Sequence, residues 1–185
     1  MRRREIAALA LLPWVGARAA EGDAFARLLR EGRCAVLFRH GQTVAGIGDP
    51  PGFRLDSCST QRNLNDAGRA QSRRIGEWFL ARQLRPLAVR SSAWCRCKDT
   101  AQLAFGAADV WPPLNSTFDD SALSPAATAL LREALRTIPA NSFEVWVTHQ
   151  VNITALTGEF AQMGEGVLVD AGGAVRARLT VPARP

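Results

Sequence analysis

The sequence predicts an α/β fold: a three-layer α/β/α sandwich in which a mostly parallel central sheet lies between two layers of helices. Three observations lead there. Short apolar runs at residues 34–38, 87–91 and 143–148 have the length and continuity of strands buried on both faces. They alternate with longer segments of helical spacing, the pattern of strands joined by crossover helices. The chain has two histidines, His40 and His149, and each follows the end of one of those runs. In sheets of this kind ligands gather beyond the carboxyl ends of the strands.

At 185 residues, 47% hydrophobic and 22% charged, the chain has the size and composition of one globular domain. Its start reads as a leader. Arg2, Arg3 and Arg4 precede an apolar run at residues 6–15, and Ala17-Arg18-Ala19 supplies small residues suited to a signal peptidase. The run is shorter than the roughly 20 apolar residues a membrane span needs. The expected organisation is therefore a cleaved signal peptide at residues 1–19 and a single domain at 20–185, in a periplasmic or secreted protein without stable membrane insertion. Cleavage after Ala19 removes four arginines and one glutamate, so the net charge falls from +6 to +3. The remaining basic residues are scattered rather than gathered beside aromatic side chains, which excludes a nucleic-acid surface as the expected partner.

The elements follow in order. Residues 23–31 have helical spacing at Phe25, Leu28 and Leu29, and Gly32 stops them. Residues 34–38 form the first strand. A Gly-, Pro- and Ser-rich stretch at 41–61, containing GIGDPPG, reads as a long loop, and loops of that length inside a compact domain are functional or disordered. Asn65 is placed to cap a helix running to about residue 84. The second strand lies at 87–91, followed by a helix at 94–105, a polar loop at 111–120 and a helix at 126–138. The third strand ends at Thr148, and residues 167–170 and 174–181 form a terminal hairpin around Gly172-Gly173.

Four cysteines, Cys34, Cys58, Cys95 and Cys97, would meet an oxidising compartment after export. Cys95 and Cys97 are too close to pair with each other. Either Cys58 pairs with one of them, or all four are small apolar residues. None opens a Cys-x5-Arg loop, so a thiolate phosphate site is not expected.

The stretch LFRHG places Arg39 and His40 at the mouth of the sheet before Gly41, where backbone can approach a ligand closely. An adjacent guanidinium repels a metal cation but forks onto phosphate or carboxylate oxygens. The same argument opposes a zinc site built from the Cys95-x-Cys97 pair and the histidines. The stretch SSAWCRCKDTA adds Arg96 near the start of a helix. Thr100 lies one turn after Arg96 and Ser92 one turn before it. A helix N-terminus adds its own attraction for an anion.

With LNDAGRAQ at residues 64–71 and Thr148-His149, these motifs resemble the histidine phosphatase superfamily, also called phosphoglycerate-mutase-like, over most of the chain between residues 34 and 158. The resemblance implies that fold and a set of roles. His40 would attack phosphorus and become a phosphohistidine. Arg39, Arg96 and His149 would surround the phosphoryl oxygens with help from backbone at Gly41, His149 acting partly protonated, and Thr43 and Asn152 would touch the phosphate or the leaving group. The family places its acid either in a loop after the middle strands or directly after the second histidine. Gln150 holds the latter position and cannot protonate anything. Asp120 is therefore the expected acid, preferred over its neighbour Asp119, with Asp56 or water as alternatives.

The expected function is a phosphomonoesterase of the histidine acid phosphatase type, working without metal or cofactor on a small or envelope-associated phosphorylated substrate. A lid for excluding water, as a mutase requires, is hard to find in so short a chain. The competing expectations are a non-catalytic phospholigand-binding protein of the same fold and a structural envelope protein with a vestigial site.

Overall fold

The computed structural model describes residues 14–182. The basic head and most of the apolar run of the expected leader fall on residues 1–13, outside the described residues. The first helix, α1 (Trp14–Glu31), starts nine residues before the predicted start at residue 23 and contains the expected cleavage position after Ala19. Phe25 and Leu29 anchor it in the core.

Among the described residues six strands form one sheet: β1 (Cys34–Arg39), β2 (Ala88–Ser91), β3 (Asp109–Val110), β4 (Phe143–Thr148), β5 (Gly166–Asp170) and β6 (Val175–Leu179), in the order β3-β2-β4-β1-β5-β6. The first four are mutually parallel where they pair. The predicted hairpin β5-β6 is present and adds to β1 antiparallel, so the sheet is mixed. The remaining helices are α2 (Asp66–Ala81), α3 (Cys95–Phe105), α4 (Ser124–Thr137) and α5 (Gln150–Thr157).

Alternation along the central strands divides the core into two. Cys34, Val36 and Phe38 of β1, with Phe143, Val145 and Val147 of β4, face α1, α2 and α3 through Phe25, Leu29, Ile75, Phe79 and Ala101. Ala35, Leu37 and Trp146 face the opposite way, onto Leu131 and Leu135 of α4 and Ile153 and Leu156 of α5. Both faces of β1 and β4 are therefore apolar, as a central parallel strand requires. Among the described residues no helix is long and apolar enough to cross a membrane.

The stretch LNDAGRAQ fixes α2 against the segment that follows β1. The Asn65 side chain accepts a hydrogen bond from Gly68 N at 2.8 Å, the cap expected of it. A Cβ on Gly68 would lie 1.9 Å from Gln42 O, and one on Gly41 2.9 Å from Gly68 O, so the two backbones touch where neither residue can carry a side chain. Gln71 closes the contact, accepting from Gln42 N and donating to Met163 O. The Gly68→Ala variant should force this contact apart. We expect a loss of about 1–3 kcal/mol in urea unfolding, with the midpoint moving and the slope unchanged.

Candidate active site

β2, β4 and β1 are adjacent and parallel, so their carboxyl ends open on one edge of the sheet. Arg39 pairs in register with Thr148, and His40 N donates to Thr148 O at 3.0 Å. His40 and His149, 109 positions apart in sequence, therefore emerge side by side, with ring centroids 5.5 Å apart. α3 starts just beyond β2 and brings in Arg96. Arg39, His40, Arg96 and His149 all line one cavity of about 300 Å³, as the sequence predicts.

His40 is 3% exposed. Its Nδ1 lies 2.9 Å from Gly41 O. A carbonyl only accepts, so Nδ1 carries the proton and Nε2 keeps its lone pair. Gly41 N in turn donates to Thr100 Oγ1 at 2.9 Å, and the Thr100 hydroxyl donates to Arg96 O at 2.7 Å. Burial pushes the His40 pKa down to about 3. The Gly41 bond opposes that shift, while Arg96, Arg39 and Arg62 reinforce it.

His149 Nε2 sits 2.8 Å from Ser92 Oγ, and the ring meets the edge of Trp94. Ser92 Oγ also reaches Asn115 Oδ1, which accepts from Ala93 N. Burial, then the charges of His40 and the three arginines, hold the His149 pKa well below its ordinary value. Burial and the neighbouring positive charges therefore favour a neutral imidazole, and the expected partial protonation of His149 would have to come from an anion beside it.

Two residues that sequence reasoning missed complete the site. Arg62 lines the cavity, its Nε donating to Gly48 O at 2.8 Å and its Nη1 to Thr43 Oγ1. Asp49, from the GIGDPPG loop, pairs with Arg96 Nη1 at 2.8 and 3.0 Å and also accepts from Arg62 N and Trp94 Nε1. Burial pushes the Asp49 carboxyl up, but the bonds from Arg96, Arg62 N and Trp94, with the charge of Arg96, outweigh it and hold the group below the usual carboxylate range. Burial depresses the pKa of both Arg39 and Arg62, reinforced by the charges of Arg62 and Arg96 at the first and of Arg96 at the second. Arg39 Nε and Arg96 Nε are buried without a hydrogen-bond partner. An anion in the cavity would offset the repulsion among these guanidiniums.

Four expected contacts fall elsewhere. Thr43 spends its hydroxyl on Arg62 and Met163 Sδ, and so positions Arg62. Asn152 Nδ2 donates to Pro113 O and Asn115 O, bracing the loop before α4. The peptide N–H of Gly41 is taken by Thr100 and its carbonyl faces His40, so Gly41 orients the imidazole. None of these three lines the cavity, and neither does Asp120, whose carboxylate accepts from Ala122 N as the cap of a 3-10 turn. Asp119 lines the cavity instead. Asp56 is exposed and paired with Arg54. Gln150 lines the cavity but uses its amide internally, with Thr154 Oγ1, Glu159 O and Ala161 N.

Cys58 and Cys95 form a disulfide with Cα atoms 5.6 Å apart, one of the two cross-links the sequence allowed. It ties the loop that carries Asp49 to the first residue of α3, next to Arg96. Cys34 and Cys97 are free and buried.

The sequence model of the histidine phosphatase superfamily (branch 1) matches residues 35–159, well over half of the chain. The chain belongs to that superfamily. Solved structures with the same fold include TTHB049 from Thermus thermophilus (22% identity, 79% of this chain and 98% of that one, TM-score 0.54). A phosphoglycerate mutase from the same organism aligns at 22% identity over 80% of this chain and 99% of its own, with a TM-score of 0.57. The protein histidine phosphatase SixA in complex with tungstate aligns at 17% identity over 80% and 96%, with a TM-score of 0.51. No match was found among curated proteins. Phosphatase-type chemistry is the common ground of the superfamily, and the α/β fold expected from the sequence is the one observed.

The neutral buried histidines make stability depend on pH. An unfolded His40 gains a proton below about pH 6.5, whereas the folded one resists protonation down to about pH 3. The unfolded state then binds more protons, so stability falls as pH falls through that window. The difference in unfolding free energy between wild type and His40→Ala should shrink steadily from pH 7 to pH 4. A difference independent of pH would contradict a neutral His40.

Proposed function

We propose that this protein is a phosphomonoesterase of the histidine acid phosphatase type, acting through a phosphohistidine on His40 without a metal ion. One observation carries the reading. A neutral imidazole, its Nδ1 tied to Gly41 O and its Nε2 free to attack, is buried in a cavity with three guanidiniums and a second histidine. Guanidiniums fixed around the equatorial oxygens of a transferring phosphoryl group supply the charge stabilisation that other phosphotransfer sites draw from metal ions.

The steps balance simply. His40 Nε2 attacks phosphorus as the ester P–O bond breaks, and the departing oxygen takes a proton from the Asp119 carboxyl or from water. Water then attacks the phosphohistidine, its proton returning to the same carboxylate, and phosphate leaves with His40 neutral again. Because the His40 pKa lies near 3, the nucleophile stays unprotonated in mildly acidic solution, where a free histidine would already be cationic. That property supports the acid phosphatase assignment. The leader-like N-terminus and the Cys58–Cys95 disulfide support a periplasmic or secreted location and an envelope-associated or small substrate.

A non-catalytic phospholigand binder is the second reading. It is favoured by Gln150 after the second histidine and by the turning of Asp120 out of the cavity. Turnover of a general phosphomonoester with chelator present separates the two. We expect activity that persists below pH 5, is abolished in His40→Ala, and falls about 10²–10³-fold in Arg39→Ala or Arg62→Ala. Rapid quenching should trap acid-labile, base-stable radiolabel on the wild type. Undiminished turnover by His40→Ala would remove the nucleophile from the scheme.

A further inference from the structure

We propose that the cavity is shaped for a phosphomonoester whose leaving group is apolar and carries no second negative charge. This rests on reading the floor of the cavity as a phosphoryl site.

The charge balance is the first argument. Arg39, Arg62 and Arg96 are opposed by one buried carboxylate, Asp49, and both histidines are neutral. Among these buried groups three positive charges against one leave two, the charge of a single phosphoryl dianion. Nothing remains for a carboxylate or a second phosphate on the same substrate.

The wall above that floor is the second argument. Ile47 is 91% exposed and Phe118 is 57% exposed, and both line the cavity together with Val151 and Met163. The two exposed side chains come from different loops. A Cβ on Gly48 would stand 3.7 Å from Phe118 Cε1, so the Phe118 ring lies against the backbone next to Ile47. Large apolar side chains left open side by side at the mouth of a polar site are a recognition surface rather than ordinary exposure.

Two polar side chains on the same wall are engaged, which is the third argument. Gln150 has both ends of its amide bonded within the protein, and Ser116 Oγ already accepts from Phe118 N. A polyhydroxylated leaving group such as a sugar would lose hydration here and find few partners, whereas an alkyl or aryl group gains from contact with Ile47 and Phe118.

Phosphonates, whose C–P bond this chemistry does not cleave, separate recognition from turnover. Calorimetric titration of the wild-type protein should show hexylphosphonate binding at least about tenfold tighter than 3,4-dihydroxybutylphosphonate, as expected when two or more methylenes are buried. Inorganic phosphate should bind detectably, and 3-phosphonopropanoate more weakly than the dihydroxy compound. In an Ile47→Ser/Phe118→Ser double variant, checked for folding by its thermal midpoint, the ratio of hexylphosphonate to inorganic phosphate affinity should fall about tenfold. If Ser at both positions disturbs the loops, Phe118→Leu should keep most of the ratio while Phe118→Ser loses it. Equal binding of the hexyl and dihydroxybutyl compounds, tighter binding of 3-phosphonopropanoate, or an unchanged ratio in the double variant overturns the proposal while leaving the phosphoryl site standing. Absence of binding by inorganic phosphate and by every phosphonate removes both.

Discussion

Three guanidiniums crowded around two buried neutral imidazoles make an arrangement that needs an anion. Neighbouring guanidiniums raise the cost of charging Arg39 and Arg62, whose pKa values are depressed by burial first and by that repulsion second. A unit charge about 4 Å from another contributes about 4 kcal/mol at an effective dielectric near 20. Such a cluster is tolerable only when held rigidly and partly compensated. Much of the surrounding structure serves that purpose. The disulfide, the Asp49 carboxylate, Trp94 and Thr43 all act on the positions of Arg62 and Arg96.

His40, the proposed nucleophile, is held by a chain of bonds that starts on Arg96. The Arg96 carbonyl accepts from Thr100, Thr100 accepts from Gly41 N, and the Gly41 carbonyl accepts from His40 Nδ1. The helix that delivers Arg96 therefore also sets the rotation and tautomer of the His40 ring. The contact of Gly68 with Gln42 keeps that peptide in place from the other side. This explains why the sequence carries LNDAGRAQ so far from the histidines: the motif contributes backbone proximity rather than a ligand.

The parts of the site legible in the sequence were those governed by regular structure. Arg39 with His40, and His149, follow apolar runs that became β1 and β4, and the parallel pairing of neighbours brings strand ends together whatever the loops do. Arg96 was legible because helical spacing ties it to Thr100. Asp49 and Arg62 were not, since they come from an irregular segment whose path depends on a cross-link and on Arg96 itself. Their signal was present in GIGDPPG and TQRN, a polar and charged segment too long for a simple connection. Asp119 and Asp120 show the limit of such reading. In a loop, adjacent side chains point apart, and here one caps a turn while the other lines the cavity. Helix α5 was not legible because eight residues including Val151, Ile153 and two threonines read equally well as strand.

For the phosphatase proposed above, Asp49 raises the question of why a phosphate site should place a carboxylate on one of its own arginines. Phosphate is both part of the substrate and a product, so a stronger positive field would hold both. Uniformly tighter binding lowers the substrate concentration needed without lowering the barrier, and tighter product makes release the slow step. With Asp49 on Arg96, two net charges remain on the floor of the cavity. The pair also settles the direction of the Arg96 guanidinium before any ligand arrives, so binding costs less side-chain ordering. The carboxylate thus exchanges ground-state affinity for a fixed donor geometry, and that geometry is what the phosphoryl transition state rewards.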